Sequence, residues 1–123
     1  MDKILYIFIG GGIGSILRYY ISTVTYKYLK YSYLGTFFVN IIGCFLIGLF
    51  FGLTLNKIHN IPENFKIFLT IGFLGGLTTF STFTFETFMF IKNGELVQGL
   101  CYMILSCVVG LIAAFIGFSI SNY

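Results

Sequence analysis

The sequence predicts an all-α membrane protein, one domain over residues 1–123, with four transmembrane helices and a break in the third. Three observations predict it. The chain is 58% hydrophobic and only 9% charged, where a soluble domain carries roughly 25% charged residues. Four apolar stretches, roughly 4–24, 34–56, 67–91 and 99–120, are separated by the polar links KYLKYS, KIHNIPENFK and KNGEL. Each is close to the ~20 residues that a helix needs to cross a bilayer, and none alternates as a barrel strand would.

The first stretch opens as MDKILYIFIGGGIG, a lysine followed by an apolar run, as in a signal peptide. The run continues to Ile21 with Arg18 inside it and no A-x-A site follows, so it is predicted to be the first span. Gly10 and Gly14 form a small-xxx-small pair, as do Gly48 and Gly52 in the second span. Such pairs let helices approach closely. GGGIG is not a dinucleotide fingerprint, because the strand–loop–helix context is absent.

The second span carries Asn40, with Thr36 one turn before it on the same face. The third contains GFLGGLTTFSTF, residues 72–83. Gly75-Gly76 falls near the bilayer midplane, and the helix is expected to break there. Unwound backbone at that depth is tolerated only where protein or a water cavity satisfies it, and its freed carbonyls suit a small cation. The hydroxyls of Thr78, Thr79, Ser81 and Thr82 follow at once. Phe80 and Phe83, spaced i, i+3, are either core or pore lining; a ring presents a positive edge, so edges along a narrow path favour an anion. On the fourth span Tyr102, Ser106 and Gly110 make an i, i+4, i+8 stripe, open to packing or to a polar path. Glu86 lies near the end of the third span, where an interfacial acid is cheap.

Depth connects these residues. At about 1.5 Å per residue, Arg18 lies about 9 Å from the side opposite the termini, in a core ~30 Å thick. Asn40 and Ser106 enter from that same side to about 9 and 10 Å, and Phe83 and Phe80 lie about 12 and 16 Å from it. All fall in one half of the bilayer, although Arg18 is equally able to snorkel and Asn40 to bridge helices. One subunit would line half a path. Lys3, Lys57 and Lys66 fall on the side of the termini and Lys27, Lys30 and Lys92 on the other, so no positive-inside bias sets orientation. Either other cues orient the chain, or copies insert both ways up and pair as an antiparallel dimer.

Cys44, Cys101 and Cys107 lie in apolar stretches without metal-ligand spacing and read as packing residues. His59 sits in a polar loop near Pro62, the only proline. No basic run suggests nucleic acid, and nothing supports a metal cluster or a nucleophilic triad.

GFLGGLTTFSTF, with GTFFVNIIG (35–43) and GGIGSILRYYIS (11–22), resembles the Fluc (CrcB) family of fluoride channels over nearly the whole chain and in the right order. The resemblance implies a dual-topology antiparallel homodimer in the bacterial inner membrane, not an enzyme, with two pathways that export fluoride passively. It implies that ring edges of Phe80 and Phe83 line the pores, with Asn40 beside them and Arg18 in the vestibule. Ser81 and Thr82 match a hydroxyl track, Tyr102 and Ser106 match polar positions on the fourth helix, and Thr36 and Glu86 accompany them. Gly75 and Thr78 match backbone-carbonyl ligands of a structural sodium ion at the dimer centre. Gly110 departs from relatives that carry a further hydroxyl there. Partners are therefore expected to be fluoride, a second copy and membrane lipid.

Two other functions make different demands. A small proton-coupled multidrug transporter needs a carboxylate deep in an early span, and the first two spans have none. A non-transporting scaffold predicts no ion flux and tolerance of Phe80→Ile.

Overall fold

The structure, a computed structural model, describes residues 2–56 and 61–121. His59 and Lys57 lie outside the described residues. The described chain is all helical: α1 (Asp2–Leu29), α2 (Ser32–Asn56), α3 (Glu63–Ile67), a wider π-helical segment (Phe68–Leu74), α4 (Gly75–Leu77), α5 (Phe80–Lys92) and α6 (Leu96–Ile120). Among the described residues, four runs are long and apolar enough to span a membrane: Lys3–Leu29, Ser32–Leu55, Glu63–Lys92 and Leu96–Ile120. The protein is a multi-pass membrane protein.

The first span runs longer than its apolar stretch. α1 continues through Tyr26-Lys27-Tyr28-Leu29 and stops where Lys30 adopts φ 63°. The Lys30 N–H closes the last turn on the Tyr26 carbonyl at 2.9 Å, a left-handed helix end. Its last turn therefore carries Lys27, which hydropathy alone assigns to the link. The α5–α6 link within KNGEL is a short turn: Gly94 takes φ +82°, and the Glu95 N–H reaches back to the Phe90 carbonyl at 2.9 Å.

Two helix pairings organise the bundle: α2 lies along α6, and α1 lies along the π-helical segment and α4. Both rest on glycines. A methyl on Gly48 would collide with the Ala114 backbone and one on Gly117 with the Phe45 carbonyl, so backbone meets backbone without side chains between. Across the other interface, a methyl on Gly10 would lie 2.5 Å from the Phe68 carbonyl oxygen, and one on Gly76 would lie 2.5 Å from that of Gly11. The close approach expected of the glycine pairs is thus present on both sides. Between the pairings sits a small core of Val39, Leu74 and Leu77, with Ile21, Leu46, Ile47 and Phe73 packed around it.

The glycines of the third span need a correction. The helix was expected to break at Gly75-Gly76, but both belong to α4, and Gly75 has helical angles of φ −64°, ψ −36°. Gly76 is small because α1 crosses there, with the Gly11 backbone in the space of a methyl group. The extended angles come later, at Thr78 (φ −83°, ψ 159°) and Thr79 (φ −149°, ψ 114°).

Candidate functional site

Extended backbone inside a span needs hydrogen-bond partners from elsewhere. Asn40 of α2 supplies them. The Thr79 N–H donates to Asn40 Oδ1 at 2.8 Å, and Asn40 Nδ2 donates to the Thr79 carbonyl at 3.2 Å. The side-chain amide thus pairs with both the N–H and the C=O of one residue, as a neighbouring strand would. Its second Nδ2 hydrogen is not needed for this clamp.

Thr79 then starts the next helix. Its Oγ1 accepts the Thr82 N–H at 3.3 Å and donates to Thr82 Oγ1 at 3.1 Å, with Ser81 Oγ 3.4 Å away. A threonine N-cap satisfies one of the orphan donors of a helix start. Ser81 and Thr82 are exposed at this first turn, and Phe80 is 80% exposed. A phenylalanine presented so openly beside three hydroxyls is not a core residue of this subunit.

The redirected donors have a second consequence. In an unbroken helix the Thr79 N–H would serve the Gly75 carbonyl and the Thr82 N–H the Thr78 carbonyl. Here they go to Asn40 and to Thr79 Oγ1. The carbonyls of Gly75 and Thr78 therefore lose their helical donors, while the Thr78 hydroxyl is committed to the Leu74 carbonyl at 2.9 Å. Freed carbonyl oxygens are the ligand type that a hard cation takes. Among the described residues no cluster of three or more His, Cys, Asp or Glu could hold a metal.

Gly75, Thr78, Thr79, Asn40, Phe80 and Phe83 all line one open groove of about 370 Å³. Beyond it the aromatic rings continue. The ring centroids of Phe80 and Phe83 are 6.1 Å apart, and those of Phe83 and Tyr102 are 5.3 Å apart. Tyr102 is buried, and its hydroxyl donates to Glu86 Oε2 at 2.8 Å, while Thr36 donates to Glu86 Oε1 at 2.9 Å. Three helices so converge on one carboxylate. Asn40, Thr79, Phe80, Phe83, Tyr102, Glu86 and Thr36 form a continuous line from the middle of the third span to its end.

Two expected residues stand apart from that line. Ser106, one turn beyond Tyr102 on α6, has a buried hydroxyl oxygen without a hydrogen-bond partner among the described residues. Arg18 is partly buried on α1 and has no carboxylate partner among them. Gly110 packs against Cys44, its Cβ position 3.3 Å from Cys44 Sγ, so the lower end of the α6 stripe is a helix contact. Sequence reasoning named Thr79 only as one hydroxyl of several. The signal that singles it out is a threonine three residues before a second hydroxyl at a helix start, the pattern of a cap.

A family model described as CrcB-like protein, Camphor Resistance (CrcB), matches residues 5–118. A protein of Desulfotalea psychrophila named fluoride-specific ion channel FluC is 44% identical over 119 residues, covering 97% of this chain and 91% of the relative. Proteins with the same name from Phocaeicola vulgatus (43% identical, 99% of this chain and 100% of the relative) and Geotalea daltonii (41%, 100% and 99%) match along their full lengths.

Proposed function

The chain belongs to the CrcB-like family, and on that premise we propose that it is a fluoride-selective passive channel of the bacterial inner membrane. The single observation that carries the reading is the Asn40–Thr79 clamp. It holds an interrupted third span in place and presents Phe80 and Phe83 at an uncovered groove, with the exposed hydroxyls of Ser81 and Thr82 on the turn that follows. Fluoride is small and tightly hydrated, so its path needs donors and positive ring edges at each step. Hydroxyls, the spare amide hydrogen of Asn40 and the edges of Phe80 and Phe83 are such groups. Arg18 would raise the anion concentration at the entrance, and Ser106 and Tyr102 would continue the donor line on α6.

An exposed phenylalanine and freed carbonyls on one face of a membrane subunit call for a second copy. We infer an antiparallel homodimer, favoured by the even distribution of lysines between the two sides, with two pathways each completed by the inverted partner. Gly75 and Thr78 of one copy supply too few oxygens for a sodium ion; the same two carbonyls from the partner would complete a structural site on the dimer axis. Such an ion would neutralise the carbonyl dipoles that the clamp leaves exposed. An inside-negative potential drives anions outward at about 2.3 kcal/mol per charge per 100 mV, so a passive pore suffices for export.

Efflux from liposomes tests the reading. A fluoride electrode should record rapid loss of internal fluoride with potassium ionophore present, and chloride-loaded vesicles should lose almost none. Absence of fluoride flux from a well-folded dimer would reject the channel and favour a scaffold.

A further inference from the structure

A second cavity, of about 590 Å³, opens where α5 ends and α6 begins. Ser32 starts α2, Lys92 ends α5 and Leu96 starts α6, so this cavity lies at the membrane–water boundary. Its volume is in the range of small-molecule sites. Its walls include the rings of Tyr31, Tyr33, Phe85 and Phe90, together with the carboxylates of Glu86 and Glu95. Among the described residues, no lysine or arginine lines it. Lys30 and Lys92, each adjacent in sequence to a lining residue, are exposed and outside the lining.

The rings do not cover one another face to face. Tyr33 meets Phe90 edge-on, with centroids 5.1 Å apart and planes at 70°, and Tyr31 is tilted 45° to Tyr33 at 5.6 Å. Tyr33 is enclosed by its neighbours, but Tyr31 and Phe85 are 57% and 61% exposed and keep ring surface for another occupant. A ring face is negative and attracts a cation within about 6 Å of its centroid. The acids add to this. Glu95 stands at the N-terminus of α6 but does not cap it with its side chain, so its carboxylate is not committed to the helix. Glu86 is fixed on the inner side by Thr36 and Tyr102.

Aromatic walls with carboxylates and no basic group are complementary to an organic cation. A metal ion or ammonium ion fits poorly, because it would have to exchange a full hydration shell for ring faces. A methylated ammonium is weakly hydrated and gains from both the rings and the charges. We propose that this cavity binds a quaternary alkylammonium group, either free in solution or as the choline head of a lipid at the same interface. The function class differs from anion permeation, although Glu86 is shared between this cavity and the line of residues described above.

The test is saturation-transfer NMR on the purified protein in a neutral maltoside detergent. The probe is choline chloride, and the control is 3,3-dimethyl-1-butanol, its uncharged isostere. Choline should bind saturably and at least about fivefold more tightly than the alcohol. Tyr31→Leu and Glu95→Gln, both at exposed positions, should each weaken choline binding about two- to fivefold. Equal affinity for choline and the alcohol would overturn the proposal, as would variants indistinguishable from the parent. Repeating the titration in phosphatidylglycerol and in phosphatidylcholine vesicles separates the two sources. Choline binding lost only in phosphatidylcholine assigns the site to the lipid head, and binding kept in both assigns it to a soluble ammonium. Binding is read without ion flux, so failure of the fluoride reading and failure of this one are distinguishable.

Discussion

The α2–α6 pair and the third span use the same small residues and reach opposite ends. Along α2 and α6, glycines bring two unbroken helices into backbone contact without interrupting either helix. Along the third span, glycines bring α4 equally close to α1, yet two residues later the backbone turns extended and borrows its hydrogen bonds from Asn40. The first pairing satisfies itself and leaves nothing for a ligand. The second leaves two carbonyls without their helical donors and an exposed ring beside the hydroxyls of Thr79, Ser81 and Thr82. Close packing is thus the precondition for the open site: α1 must hold α4 rigidly before Thr78 and Thr79 can be pulled out of the helix.

The largest way to break that contrast is Gly48→Leu. The Ala114 backbone already occupies the space of a methyl there, and overpacking in a fitted core costs about 1–3 kcal/mol even where side chains can move. Here backbone must move, so loss of monodisperse protein on size exclusion is expected. Leu111→Ala on α6, at a position 73% exposed, should leave the elution profile unchanged. Equal behaviour of the two variants would refute the backbone-to-backbone account of this pair.

Next is Asn40. Asn40→Ala removes the partners of both the Thr79 N–H and the Thr79 carbonyl, and each orphaned buried group costs about 1–3 kcal/mol. Fluoride flux should fall more than tenfold, a rise of about 1.4 kcal/mol or more in the transport barrier. Asn40→Asp keeps the acceptor for the Thr79 N–H but loses the donor. It should restore stability relative to alanine without restoring flux. Parallel recovery of both, read from melting temperature and liposome efflux, would mean that Asn40 only positions the backbone.

Phe80→Ile comes third. Its ring is 80% exposed in the subunit, so stability of the subunit should change by less than about 0.5 kcal/mol. Fluoride efflux should drop severely, because isoleucine has volume but no positive edge. Unchanged efflux in both Phe80→Ile and Phe83→Ile would remove the aromatic path from the account.

The two regions also differ in how much of them the sequence reveals. The four spans follow from hydropathy, and a close helix contact on α2 from Gly48 and Gly52, because packing of unbroken helices is a local pattern repeated every four residues; that α6 is the partner comes from the structure. The third span is only half legible. Gly75-Gly76 marks the right neighbourhood, but glycine signals either a close approach or a break, and one sequence cannot separate these uses. The separation comes from Gly11 on α1, whose backbone crowds Gly76. The true extended residues, Thr78 and Thr79, are held by an amide 39 positions away. Threonine's ability to cap is visible; its partner is not. The end of α1 was misplaced for a related reason: Lys27 breaks the apolar run without breaking the helix, which stops only when Lys30 takes a positive φ.

The smallest expected effect sits at the far end of the line, where Thr36 and Tyr102 both donate to Glu86. Each donor alone is replaceable, since a carboxylate that keeps one partner and meets cavity water is still partly satisfied. Intramembrane hydrogen bonds average about 0.6 kcal/mol in double-mutant cycles, so Thr36→Val and Tyr102→Phe should each cost about that much stability. Their combination is different, because it strips both oxygens of their donors at once. The double variant should therefore lose more than the sum, with a coupling of about 0.5–3 kcal/mol, and Glu86→Gln in that background should recover part of the loss by removing the unsupported charge. Strict additivity would show that the carboxylate is held by water and not by α2 and α6. The line of residues from Asn40 would then end at Tyr102, and the third span would owe its position to the clamp alone.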